Sequence, residues 1–126
     1  MGQAAPGFKE RPDHIVYITP IPGTYRVDFF DEEIAISSSV LEVTETNCVT
    51  RLYIPVDDVM MSSLQETGHS SYCPFKGTAR YWTVSGGGES LEKGAWAYDD
   101  PYAECEALKG HICFYSEKPG FHIHRP

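Results

Sequence analysis

The runs Tyr25-Arg26-Val27-Asp28-Phe29 and Val40-Leu41-Glu42-Val43-Thr44 decide the fold of this chain. Apolar and polar residues alternate along both, which is the period of a strand with one face buried and the other in water. Similar short runs lie on either side: His14-Ile15-Val16-Tyr17-Ile18, Glu33-Ile34-Ala35-Ile36-Ser37 and Arg51-Leu52-Tyr53-Ile54. Further along come Ala79-Arg80-Tyr81-Trp82-Thr83-Val84, Gly94-Ala95-Trp96-Ala97-Tyr98 and His111-Ile112-Cys113-Phe114-Tyr115. Turn residues separate them: Pro20-Ile21-Pro22-Gly23, Phe30-Asp31-Glu32 and the loop tip Gly86-Gly87-Gly88. Eight strands at this spacing predict a mainly β fold, a single-domain antiparallel sandwich or barrel-like structure over residues 13–126.

Two short helices are expected between the strands. Residues 101–109 have Asp100 as N-cap, Pro101 at the first helical position, Lys109 in the last turn and Gly110 to end it. Asp58 to Leu64 follows Asp57 and carries a weaker apolar stripe. Capping accounts for the carboxylate pairs Asp57-Asp58 and Asp99-Asp100, which otherwise resemble metal ligands. Residues 1–12 are Gly, Pro and charge and read as a flexible arm, while the C-terminal segment from Gly120 reads as an edge strand or a tail.

The whole chain has 126 residues and a formal charge of −8, with Tyr 8, Phe 6 and Trp 2. That length gives one core, and the aromatic content is ample to fill it. A surplus of acid argues against a protein that tracks a nucleic-acid backbone, where Lys and Arg must neutralise phosphates. No stretch is apolar for the roughly 20 residues of a membrane span, the first residues do not form a signal peptide, and Pro6 occupies the position that myristoylation reserves for Ser or Thr. The expected address is therefore cytoplasmic, with Cys48, Cys73, Cys105 and Cys113 as reduced thiols. No C-x-x-C pair or zinc-ribbon spacing occurs. A metal site would need His69, Cys73, His111, Cys113, His122 and His124 to be assembled by the fold.

Chemistry concentrates in Thr67-Gly68-His69-Ser70-Ser71-Tyr72-Cys73-Pro74-Phe75-Lys76-Gly77. A thiol with an ammonium three residues on and an imidazole four residues back has the surroundings that lower a cysteine pKa, provided a turn gathers the three. Cys73 is then the nucleophile or redox thiol, Lys76 its electrostatic partner or an anion anchor, and His69 the base. The opposite reading makes Cys73 a buried structural thiol and Lys76 a snorkelling side chain. Trp96 and Tyr98 share one strand face and form an aromatic wall, suited either to stacking a flat ligand or to filling a core. No cofactor is legible, and Gly86-Gly87-Gly88 lacks the frame of a phosphate loop.

The run Cys73-Pro74-Phe75-Lys76-Gly77-Thr78-Ala79-Arg80-Tyr81-Trp82 resembles the signature of domain-of-unknown-function family 427, small bacterial and fungal domains also labelled nucleotidyltransferase-like. Tyr53-Ile54-Pro55-Val56-Asp57-Asp58-Val59, Ala95-Trp96-Ala97-Tyr98-Asp99-Asp100-Pro101 and His111-Ile112-Cys113-Phe114-Tyr115 resemble it in the same order. Val56 stands where the family tends to carry Arg, and Ser71 where Thr is usual. The resemblance implies a compact, mostly β domain with Cys73, Lys76, Gly77, Tyr81, Trp96 and Tyr98 as hallmark positions. It does not imply nucleotidyl transfer, because neither Mg²⁺-binding carboxylates on a strand nor a phosphate loop is present.

Two functions follow. In the first, a pocket of His69, Ser71, Cys73, Lys76, Gly77, Tyr81, Trp96 and Tyr98 binds a small molecule, with or without catalysis, and Lys76 favours an anion. In the second, the domain is a non-catalytic interaction module whose Cys73 and aromatics are core. A metal-binding domain is a weaker third reading, and homo-oligomerisation is left open by strand edges.

Overall fold

The computed structural model describes residues 2–126. Ten strands follow one another: β1 (Val16–Pro20), β2 (Tyr25–Phe29), β3 (Glu32–Ser37), β4 (Leu41–Glu45), β5 (Arg51–Pro55), β6 (Leu64–Cys73), β7 (Gly77–Gly86), β8 (Glu89–Tyr98), β9 (His111–Phe114) and β10 (Phe121–His124). They form a seven-stranded sheet in the order β1-β4-β5-β9-β8-β7-β6 and a three-stranded sheet in the order β10-β2-β3, all pairs antiparallel. The mainly β expectation holds, as a sandwich of two sheets rather than a closed barrel. Among the described residues no helix is long and apolar enough to cross a membrane.

Alternation along the strands divides the seven-stranded sheet into two unlike faces. One carries Ile54, Trp82, Val84, Ala95, Ala97, Ile112 and Phe114 and is sealed by Val27, Phe29, Ile34 and Ala35 of the smaller sheet. Phe121 and Ile123 of β10 pack at the border of that core, so the segment from Gly120 is an edge strand. The other face carries Val43, Tyr53, Ala79, Tyr98 and Cys113. It is covered only in part, by Cys105 and Leu108 from the segment between β8 and β9.

The helix expected over Asp58 to Leu64 is not formed. Two single 3₁₀ turns, Val56–Asp58 and Met61–Ser63, stand in its place. Between them Val59 bridges Ala35, and Met60 N–H donates to Ile34 O at 2.8 Å, so β3 captures the backbone groups that a continuous helix would need. Leu64 then opens β6, and most of the reactive segment from Thr67 lies in that strand rather than in a loop. The 101–109 helix shrinks to a 3₁₀ segment, Ala103–Leu108, broken at Cys105. Its start is pulled straight because Tyr102 N–H donates to Lys76 O at 2.9 Å and Ala103 N–H to Gln3 O at 2.8 Å. Gly110 ends it at φ +77°, as expected.

Neither Asp pair caps with its side chain. Asp58 instead accepts the Ser37 hydroxyl at 2.6 Å, and Asp99 takes a two-pronged bond from Arg80 at 2.8 and 3.0 Å. The segment expected as a flexible arm, whose Met1 lies outside the described residues, is bonded along its length. Gly7 N–H reaches Pro74 O at 3.0 Å and Ala5 N–H reaches the Glu104 carboxylate at 2.8 Å, while α1 (Gly7–Glu10) sets Phe8 edge-on to Phe75.

Candidate functional site: an aromatic cavity on the half-covered sheet face

The uncovered part of the second face is a cavity of about 390 Å³. Its walls are rings: Tyr53 from β5, Tyr81 from β7, Trp96 and Tyr98 from β8, and Tyr115 just past β9. Tyr53 and Arg51 face it because they sit two apart on β5, as Trp96 and Tyr98 do on β8. Trp96 Nε1–H donates to the Tyr53 hydroxyl at 3.1 Å, which fixes two walls to each other. Burial pushes the Tyr53 and Tyr98 phenols above their ordinary range, so both are neutral hydroxyls at physiological pH.

Two irregularities flanking β7 bring further side chains to this face. In β6, residues 67–69 oppose the single residue Tyr81, and the His69 ring lies tilted 4.8 Å from the Tyr81 ring. Residues 92–94 of β8 likewise oppose Thr83, and Lys93 takes φ +56°, a left-handed conformation uncommon for a residue with a side chain. Bulges of this kind bend a strand and re-aim its side chains. Both His69 and Lys93 line the cavity.

Lys76 also lines it, but its ammonium is committed. The side chain is 8% exposed, Nζ is bonded to Glu45 Oε1, and Glu45 Oε2 is bonded to His14 Nε2 at 2.7 Å. The His14 ring stacks on Phe75 at 3.8 Å. Glu45 ends β4 beside β1, whereas Phe75 and Lys76 form the β6–β7 turn, so this chain of contacts ties the two ends of the curled sheet together across the cavity floor. Burial of the Glu45 carboxyl works against its ionisation, yet the bonds from Lys76 and His14 prevail and hold it below its ordinary value.

The eight residues singled out in the sequence therefore divide. His69, Lys76, Tyr81, Trp96 and Tyr98 line the cavity. Ser71 stands outside the lining and bonds the Tyr81 hydroxyl at 2.8 Å. Gly77 has φ +120° and closes the β6–β7 hairpin, a conformational reason for glycine, and it does not line the cavity. Cys73 ends β6 half-buried against the Tyr98 cluster, outside the lining, and it makes no hydrogen bond through sulfur among the described residues. Cys73 thus lies outside the lining that His69 and Lys76 share, although Lys76 N–H donates to Cys73 O at 3.3 Å within the β6–β7 turn. Burial raises the Cys105 thiol to about 11 and the Cys113 thiol further still. Burial, with Glu45 nearby, also raises Cys48 at the cavity rim.

Sequence reasoning did not find Glu45, Arg51, Tyr53, Lys93 or Tyr115. Arg51 and Tyr53 carried a signal, alternate positions of one strand run, but nothing local tells which face of a strand meets a cavity. No group of three or more His, Cys, Asp or Glu side chains fit to hold an ion occurs among the described residues.

Fold and cavity together define a β-sandwich with a basic, aromatic-walled cavity on one sheet face. The chain belongs to the family described as Domain of unknown function (DUF427), which it matches over residues 17–123. No curated protein matches it.

Proposed function

We propose that this domain binds a small molecule with a flat apolar body and an anionic group in the cavity walled by Tyr81, Trp96, Tyr98 and Tyr115. The observation that carries this reading is the convergence of three basic side chains, Arg51, Lys76 and Lys93, against one carboxylate, Glu45, in a single aromatic cavity of a chain with net charge −8. Local charge thus opposes global charge, as a site for a small anion requires. Largely apolar walls with a few placed polar groups are the usual make-up of ligand pockets. Calorimetric titration with aromatic carboxylates and aromatic phosphates tests it. Saturable binding that Trp96→Leu and Arg51→Gln each weaken by about tenfold or more is expected, and binding indifferent to both variants overturns the proposal.

A second reading, an interaction module, draws support from the edge strand β1 and its approach, where Ile15 and Tyr17 are 47% and 63% exposed. Under it, Tyr17→Asp abolishes partner capture while cavity variants leave capture intact. Chemistry centred on Cys73 is not part of either reading, because the thiol lies outside the cavity lining.

A further inference from the structure

The three cations of the cavity are not equivalent. Lys76 is bound to Glu45 and buried. Lys93 is exposed, has no acidic partner among the described residues, and lines the cavity from a bulge at which its backbone is left-handed. Arg51 is intermediate. Its guanidinium lies 5.0 Å from the Trp96 ring centre and 5.4 Å from that of Tyr115, so it rests against two cavity walls. Both Nη atoms contact the carboxylate of Glu117, at 2.5 and 3.1 Å.

Glu117 belongs to the connection between β9 and β10, is 44% exposed and does not line the cavity. The Nε–H of Arg51 and its outer Nη hydrogens have no acceptor among the described residues. A planar fork matched to a carboxylate or phosphate thus stands at the cavity with its best-aligned edge already filled by a carboxylate of the same chain. Exposed ion pairs of this kind are held weakly, since water competes for both charges.

We propose that Glu117 is a built-in competitor: a ligand's carboxylate or phosphate binds by taking the Arg51 fork from Glu117, with Lys93 as the second cation on the same anion. This rests on the cavity reading above and specifies it. Glu117 then sets the affinity threshold, because any ligand must outbid a carboxylate that is always present. It also sets selectivity: an anion able to engage Arg51 and Lys93 together replaces Glu117, and a neutral aromatic molecule has no reason to. Arg51 needs little rearrangement, as its contacts with the two rings persist whichever carboxylate it carries.

Titration of the purified protein with phenyl phosphate and with benzoate, followed calorimetrically, tests this. Glu117→Gln is expected to tighten binding about 2- to 5-fold, the range set by an exposed ion pair. Arg51→Gln is expected to weaken it by about tenfold or more, as loss of a charge-assisted hydrogen bond does, and Arg51→Lys keeps the charge without the fork, so it should recover only part. Lys93→Gln should weaken phenyl phosphate more than benzoate. Binding that depends on Arg51 but is unchanged or weaker in Glu117→Gln overturns the competitor role and leaves the cavity reading standing. Absence of binding in both wild type and Glu117→Gln overturns both.

Discussion

The two faces of the seven-stranded sheet are built from alternate residues of the same strands, yet they obey different rules. The face under the small sheet is apolar throughout and sealed, with Phe29, Ile34, Val84, Ala95 and Ile112 fully buried. The opposite face holds together through rings, hydroxyls and an ion cluster, and part of it is left as a cavity. The first is stabilised by area removed from water and is indifferent to pH. The second keeps buried charge only because each charge has a partner; among the described residues no buried side-chain nitrogen or oxygen lacks one. A sheet can thus assign stability to one face and, under the function proposed above, recognition to the other.

The comparison is broken most forcefully at the ion cluster. Glu45→Ala strands the Lys76 ammonium and should cost about 3–5 kcal/mol in urea unfolding. The double variant Glu45→Leu/Lys76→Met should recover most of that loss, because a buried pair replaced by apolar groups of similar size is often neutral. Failure of the double variant to recover would mean that the cluster holds the sheet ends in a way packing does not replace. On the sealed face, Ile112→Ala should cost about 2–5 kcal/mol through transfer and cavity terms, with no effect on the binding proposed for the other side.

Acid should separate the faces next. The folded-state pKa of Glu45 lies below its ordinary 4.5, so its contribution is complete above that value and is lost as pH falls through the depressed one. Asp28, whose burial is outweighed by bonds from His124 and Arg26, and Glu117, held down by Arg51, act in the same direction. The melting temperature should therefore fall as pH drops below about 4.5, and the Glu45→Leu/Lys76→Met variant should fall less steeply while retaining the Asp28 and Glu117 share. Equal slopes would remove Glu45 from the account.

Smaller effects sharpen the comparison. Trp96→Phe deletes the bond to the Tyr53 hydroxyl and should cost about 0.5–1.5 kcal/mol, whereas Ser71→Ala breaks only an exposed bond to Tyr81 and should stay within about 0.5 kcal/mol. Thiol labelling at neutral pH should modify Cys48 and spare Cys105 and Cys113 until unfolding, since the latter two are sealed and their thiolates are disfavoured.

Strands with one buried face were legible because burial imposes a period on the residues, as in β2, where buried and half-buried positions alternate. β6 was not. It is the edge of its sheet, and nearly all of Leu64–Cys73 is exposed or half-exposed, so no apolar alternation marks it; its pairing with β7 through backbone bonds makes it a strand. The expected helix at Asp58 failed for a related reason, because β3 takes the bridge to Val59 and the bond from Met60. At the site, the Trp96–Tyr98 wall and the residues His69, Lys76 and Tyr81 could be singled out by type and spacing. Arg51 and Tyr115 could not, since they reach Trp96 through the register of β5, β9 and β8.

By itself the sequence determined the fold class, most strand positions, the turn glycines and the Trp96–Tyr98 part of the aromatic wall, all consequences of local backbone geometry and of which residues water rejects. Tertiary structure alone decided that Lys76 answers to Glu45 rather than to Cys73, that bulges aim His69 and Lys93 at one cavity, and that Arg51 stands there with Glu117 on its fork. The reason is physical: alternation is encoded within a few neighbouring residues, whereas a charge takes its partner from whatever strand register and sheet curvature bring within a few ångströms.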